Sequence, residues 1–186
     1  MPIILASKSP RRQELLARIT DDFVVIPSDV EETTLGPARD RVVSSARLKG
    51  REVGSKHSGI ILAADTMVVL DEHVLGKPRS REEARTMLQT LSGCSHLVLT
   101  GLYLWNTGTD EERELCAETG VQFRPISEQE IEWYLDSGEY SDKAGAYAIQ
   151  GRAAMFIESI SGEYTNVMGL PLCEVSLLLR EVGVTL

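Results

Sequence analysis

Short apolar runs alternate along this chain with stretches whose apolar residues recur every three or four positions. Ile3-Ile4-Leu5-Ala6 is a branched apolar run ended by polar Ser7-Lys8-Ser9, which predicts a short buried strand. Ser9-Pro10 then opens a helix, because serine caps well and proline suits the first helical position. Leu15, Leu16 and Ile19 form its apolar side. Phe23–Ile26 predicts a second strand, and residues 28–36 are polar and loop-like. Pro37 opens a second helix, from Ala38 to Lys56, with Val42, Val43, Ala46 and Val53 facing inward. Ile60–Ala64 predicts a buried strand. Thr66–Leu70, the turn Asp71-Glu72-His73 and Val74-Leu75 predict a hairpin.

Two capping boxes organise the second half. Ser80-Arg81-Glu82-Glu83 opens a helix to Leu91, with Gly93 just past its end. Ser127-Glu128-Gln129-Glu130 opens another through Ile131, Tyr134 and Leu135, ended by Gly138. Between them, Leu97–Trp105 and Leu115–Phe123 predict long strands that turn at Asn106–Glu112. Met155–Ile160 predicts a late strand and Pro171–Val182 a final helix. Alternating strands and helices predict a mixed α/β fold, and the two long successive strands argue against an all-parallel sheet. No repeat, low-complexity stretch or long linker divides residues 1–186, so one domain is expected.

Charge narrows the partners. A net charge of −9 argues against nucleic-acid polymers and anionic membrane surfaces, which favour a basic face. It leaves room for a small anion held by a few lysines and arginines. No apolar run approaches the ~20 residues of a membrane span. Cys94, Cys116 and Cys173 are odd in number and far apart. That is neither a disulfide framework nor a zinc site, and reduced, buried thiols in a cytosolic protein are expected. His57, His73 and His96 lack metal-site or triad spacing, no GxSxG elbow is present, and Trp105 and Trp133 read as core or interface.

Five segments place reactive side chains at predicted strand ends and loops. Ser7-Lys8-Ser9-Pro10-Arg11-Arg12 rims a helix start with hydroxyls and guanidiniums, groups that suit phosphate oxygens, without being a Walker loop. Ser28-Asp29-Val30-Glu31-Glu32 offers hard oxygen ligands for a divalent cation. Asp65 breaks the apolar run Ala63-Ala64-Asp65-Thr66-Met67. A carboxylate buried there is costly unless it is paired or works. Gly76-Lys77-Pro78 fixes a lysine at the hairpin's end, and Lys49 lies inside the second helix. In 142–151, small residues let backbone approach a ligand, and Gln150 can both donate to and accept from a base edge.

Taken in order, ASKSPRR, SDVEE, AADTMVV, GKP, DKAGAYAIQG and YTNVMGLPL resemble the motifs of the Maf-type nucleoside triphosphate pyrophosphatases over nearly the whole chain. Ala148 stands where that family usually has glycine. The resemblance implies an ITPase-like α/β fold: a mixed central sheet with helices on both sides and two lobes around a nucleotide-binding cleft. It implies a cytoplasmic homodimer that cleaves nucleoside triphosphates to monophosphate and pyrophosphate with Mg²⁺ or Mn²⁺. It assigns Asp65 as the proton acceptor for the attacking water. Arg11, Thr66 and Gln150 take roles in substrate choice, with Thr66 and Gln150 bonding the base. Ser7, Arg12, Lys49 and Lys77 take the phosphates, and Glu31 joins Asp65 at the metal. Arg, Thr and Gln at the three selective positions resemble the branch that prefers dTTP and UTP. Two other readings are the same reaction on 7-methyl-GTP, and a nucleotide-binding regulator of cell division and septum formation.

Overall fold

The computed structural model describes residues 1–31 and 33–186. Among them, seven strands join one mixed sheet in the order β2-β1-β3-β5-β6-β7, with β4 paired to β3. The strands are β1 (Ile3–Leu5), β2 (Phe23–Val25), β3 (Ile60–Leu70), β4 (His73–Leu75), β5 (Ser95–Asn106), β6 (Glu111–Phe123) and β7 (Ile157–Ser161). β1 runs parallel to β2 and β3, whereas β3–β4 and β6–β7 are antiparallel, so the sheet is mixed as expected. The helices are α1 (Pro10–Leu16), α2 (Ala38–Gly54), α3 (Arg81–Leu91), α4 (Glu128–Asp136), α5 (Tyr164–Met168) and α6 (Leu172–Glu181). None is long and apolar enough to cross a membrane.

The chain divides into two compact units. One comprises 1–66, 100–117 and 169–186, the other 67–99 and 118–168.

In the first unit, α2 lies against the sheet over Ile4, Ala6, Ile61, Ala63 and Tyr103, with Ala46 and Val53 buried beneath it. Glycines make the approach close. A Cβ on Gly50 would stand 2.6 Å from a Tyr103 ring carbon, and one on Gly54 2.5 Å from the Trp105 ring. A Cβ on Gly101 in β5 would overlap the Val42 carbonyl and stand 2.5 Å from the Val43 amide nitrogen. Side chains at these positions would lift the helix off the sheet.

In the second unit, α3 and α4 are tied by Arg81, which bonds Glu132 at 3.0 Å and Asp136 at 2.6 Å. An aromatic cluster of His96, Phe123, Tyr147, Phe156 and Tyr134 fills its core with mostly edge-to-face contacts.

Some elements match the sequence expectation and others depart from it. Ile60–Leu70 is one strand of 11 residues rather than a strand and a hairpin arm, so Asp65 sits mid-strand. The capping box at Ser127 is complete. At Ser80 it is half formed: Ser80 accepts from the Glu83 amide, but the Glu83 carboxylate reaches back to the Arg79 amide instead of Ser80's own. Met155 lies in a 3-10 turn ahead of β7. α1 stops at Leu16, leaving Ile19 outside it. The cysteines are not buried filler: Cys94 and Cys116 are half-buried and Cys173 is exposed, and no disulfide joins them. Trp105 packs on α2, whereas Trp133 is exposed on α4 under the Arg152 guanidinium, 5.3 Å from its ring centroid.

Candidate active site

The first unit gathers most of the predicted residues. β1 delivers Ser7, which is buried, and Ser9 caps α1 by accepting from the Arg12 amide. Ser7 Oγ accepts from the Ser9 amide at 3.2 Å, which folds the loop back on itself. The half-buried Arg12 then aims across α1, and each of its three guanidinium nitrogens meets a protein oxygen. Nε donates to the Gly169 carbonyl at 2.8 Å, Nη2 to Thr66 Oγ1 at 3.0 Å and Nη1 to Ser7 Oγ at 3.4 Å. These three acceptors are neutral oxygens, and together they fix the plane of the guanidinium. Arg11 is half-buried on the same helix.

One residue before Thr66, Asp65 is 4% exposed. Its Oδ1 accepts from Lys49 Nζ at 2.7 Å, and the two side chains are 5% and 13% exposed. The ammonium comes from α2, whose close seating over Gly50 and Gly101 lets it reach the strand. A buried carboxylate is thus balanced by a buried ammonium, a pair whose disruption typically costs about 3–5 kcal/mol. Asp65 faces the Lys49 side of the strand while Thr66, next along, serves the Arg12 side.

Glu31 is exposed on the loop after β2, and Glu32, the last acid of that segment, lies outside the described residues. Among the described residues no group of three or more His, Cys, Asp or Glu gathers as a metal cage. Mg²⁺ is commonly held by only one or two carboxylates, with water and substrate phosphates completing the octahedron.

Lys77 and Gln150 belong to the second unit. Lys77 is exposed after β4 and pairs with Asp142 at 2.7 Å. Gln150 is exposed, and the chain around it is tightly held. Gly145 has φ +68°, donates to the Gly76 carbonyl at 3.1 Å and packs on Val68. Just past Gln150, the Glu139 carboxylate accepts from the Arg152 amide at 2.8 and 3.1 Å, against the face of Gly151.

Two participants carried no individual signal in the sequence. Thr100, fully buried in β5, lies 2.9 Å from Thr66 Oγ1. Gly169, with φ +110°, supplies the carbonyl that holds Arg12. Thr100 is hidden inside a strand of apolar residues. Gly169 was visible only as part of YTNVMGLPL.

Among known proteins, a dTTP/UTP pyrophosphatase from Symbiobacterium thermophilum is 50% identical over 97% of this chain and 94% of its own length. One from Thermococcus onnurineus is 47% identical over 97% of both. A HAM1 protein from Coxiella burnetii shares the fold, with TM-score 0.55 at 20% identity over 97% of this chain and 99% of that one. The family model for Maf-like proteins matches residues 2–182, and the chain belongs to that family.

Proposed function

We propose that this protein hydrolyses nucleoside triphosphates, dTTP and UTP foremost, to the monophosphate and pyrophosphate, with residues 1–186 acting as one catalytic domain. The observation that carries the reading is the buried Asp65–Lys49 pair directly beside the Thr66–Arg12 network, in a chain about half identical to dTTP/UTP pyrophosphatases over nearly its whole length. Asp65 accepts the proton of a water and orients it for attack on the α-phosphorus. The bond between the α-phosphorus and the oxygen that bridges to the β-phosphate breaks, and that oxygen leaves with pyrophosphate. Lys49 balances the carboxylate's charge, and Arg12 presents a fixed guanidinium to the phosphates. Arg11, Ser7 and Lys77 complete the phosphate and selectivity contacts that the family resemblance assigns. Gln150 reads the base edge. A divalent cation, Mg²⁺ or Mn²⁺, held by Asp65 and Glu31 would neutralise phosphate charge and acidify a bound water. We take the protein to be cytoplasmic, with reduced thiols, and a homodimer, the dimer being what the family resemblance implies.

The test is pyrophosphate release from a panel of nucleotides with Mg²⁺ or Mn²⁺, using the wild type and Gln150→Ala. The reading expects turnover of dTTP and UTP, with the preference for UTP over GTP altered in the variant. Turnover of 7-methyl-GTP alone would overturn the base assignment, and no turnover at all would overturn the enzyme.

A further inference from the structure

We infer that Thr100 is a positioning residue for Arg12, acting through the Thr66 hydroxyl; the inference rests on the reading of Arg12 as the phosphate-binding guanidinium.

A planar guanidinium is useful to a phosphate only if its plane is set beforehand, since a floppy arginine must be ordered when the ligand binds. Of the three bonds described above, the one to the Gly169 carbonyl is to backbone and the Ser7 bond is the longest. The third acceptor, Thr66 Oγ1, sits on a rotatable side chain, so its direction has to be fixed by something else. Thr100 Oγ1 lies 2.9 Å from it on the neighbouring strand and is fully buried.

The hydroxyl groups allow this coupling with either one as the donor. Thr66 has one proton and two lone pairs. If Thr100 donates to Thr66, the Thr66 proton can turn to the Gly169 carbonyl at 3.5 Å, the same carbonyl that Arg12 Nε uses. If Thr66 donates to Thr100, its lone pairs remain toward Arg12. In either arrangement a Thr66 lone pair faces Arg12 Nη2 at 3.0 Å. On this inference Thr66 influences substrate choice by holding the guanidinium. Gly169 fits the same design. Its φ of +110° disfavours any side chain, and it turns the carbonyl onto Arg12.

The experiment is a double-mutant cycle read by calorimetric binding of inorganic pyrophosphate, with thermal melts to check folding. The proteins are wild type, Thr100→Val, Thr100→Ser, Arg12→Ala and Arg12→Ala with Thr100→Val. Thr100→Val is expected to weaken pyrophosphate binding about fivefold when Arg12 is present, the scale of one neutral hydrogen bond. It is expected to change binding less than about twofold once Arg12 is gone. Thr100→Ser keeps the hydroxyl and restores binding to within about twofold of wild type. An equal factor with and without Arg12 would show a merely structural role and overturn the inference. So would no weakening at all, or a wild type that does not bind pyrophosphate. If Thr100→Val does not melt cooperatively, Thr66→Val takes its place in the same cycle with the same expected coupling. A wild type that cleaves no triphosphate yet shows the coupled binding cycle would sink the proposed reaction and leave the positioning role standing.

Discussion

Replacing Gly101 by alanine tests whether the close seating of α2 is what delivers Lys49 to Asp65. The new methyl would overlap the Val42 carbonyl and stand 2.5 Å from the Val43 amide nitrogen, about 0.9 Å short of the 3.4 Å at which ordinary van der Waals contact begins. Both neighbours are helix backbone, which cannot rotate away, so α2 has to lift by about that amount. Overpacking of this kind costs about 1–3 kcal/mol. The same displacement carries Lys49 away from Asp65, whose 2.7 Å bond would open toward about 3.6 Å, outside hydrogen-bond range. The lysine stem can absorb part of the shift, so a loss of about tenfold in kcat/KM is expected, below the roughly hundredfold that a full 1 Å misplacement can cause. Urea unfolding gives the stability, read as a lower midpoint at constant slope, and pyrophosphate release gives the rate. Wild-type stability together with wild-type kcat/KM would refute the argument that this glycine sets the helix.

Two further outcomes follow from buried charges. Lys49→Met leaves the Asp65 carboxylate buried without its ammonium, so stability should fall by about 3 kcal/mol. Adding Asp65→Asn to that variant should return much of it, as measured by urea midpoints. His96 is buried with a ring nitrogen 2.8 Å from the Tyr147 hydroxyl, and burial lowers its pKa from 6.5 to about 4. The unfolded chain therefore takes up a proton on His96 near pH 6.5 while the folded chain resists until about 4. The stability contributed by neutral His96 is fully present above that window and is lost as the pH falls through it, up to about 3 kcal/mol. His96→Gln should show a correspondingly shallower fall in unfolding free energy between pH 7 and 4, and identical slopes would contradict it.

Much of the fold was legible because local chemistry agreed with it. Ser9-Pro10, the box at Ser127 and Gly138 mark helix boundaries by backbone hydrogen bonding that any tertiary context must satisfy. Asp65 was legible for the opposite reason: a carboxylate in an apolar run conflicts with burial, and such conflicts collect where a protein works. What hid were the partners. Lys49 is marked in the sequence only for the phosphates, and its bond to Asp65 emerges once α2 is seated on the sheet. Thr100 has strand propensity and no polar neighbour in sequence, so only the pairing of β3 and β5 brings it to Thr66. The break expected between Ala64 and Thr66 came from treating the polar pair Asp65-Thr66 as punctuation. The strand instead runs through them, each side chain serving its own face.

The reaction as proposed turns on Asp65 taking the proton from the attacking water. The most direct measurement is single-turnover pyrophosphate release from dTTP by Asp65→Asn, alongside calorimetric dTTP binding. Binding within a few-fold of wild type is expected, with release slowed by at least about 10²-fold, the contribution of a general base. A variant that releases pyrophosphate at near the wild-type rate would contradict it.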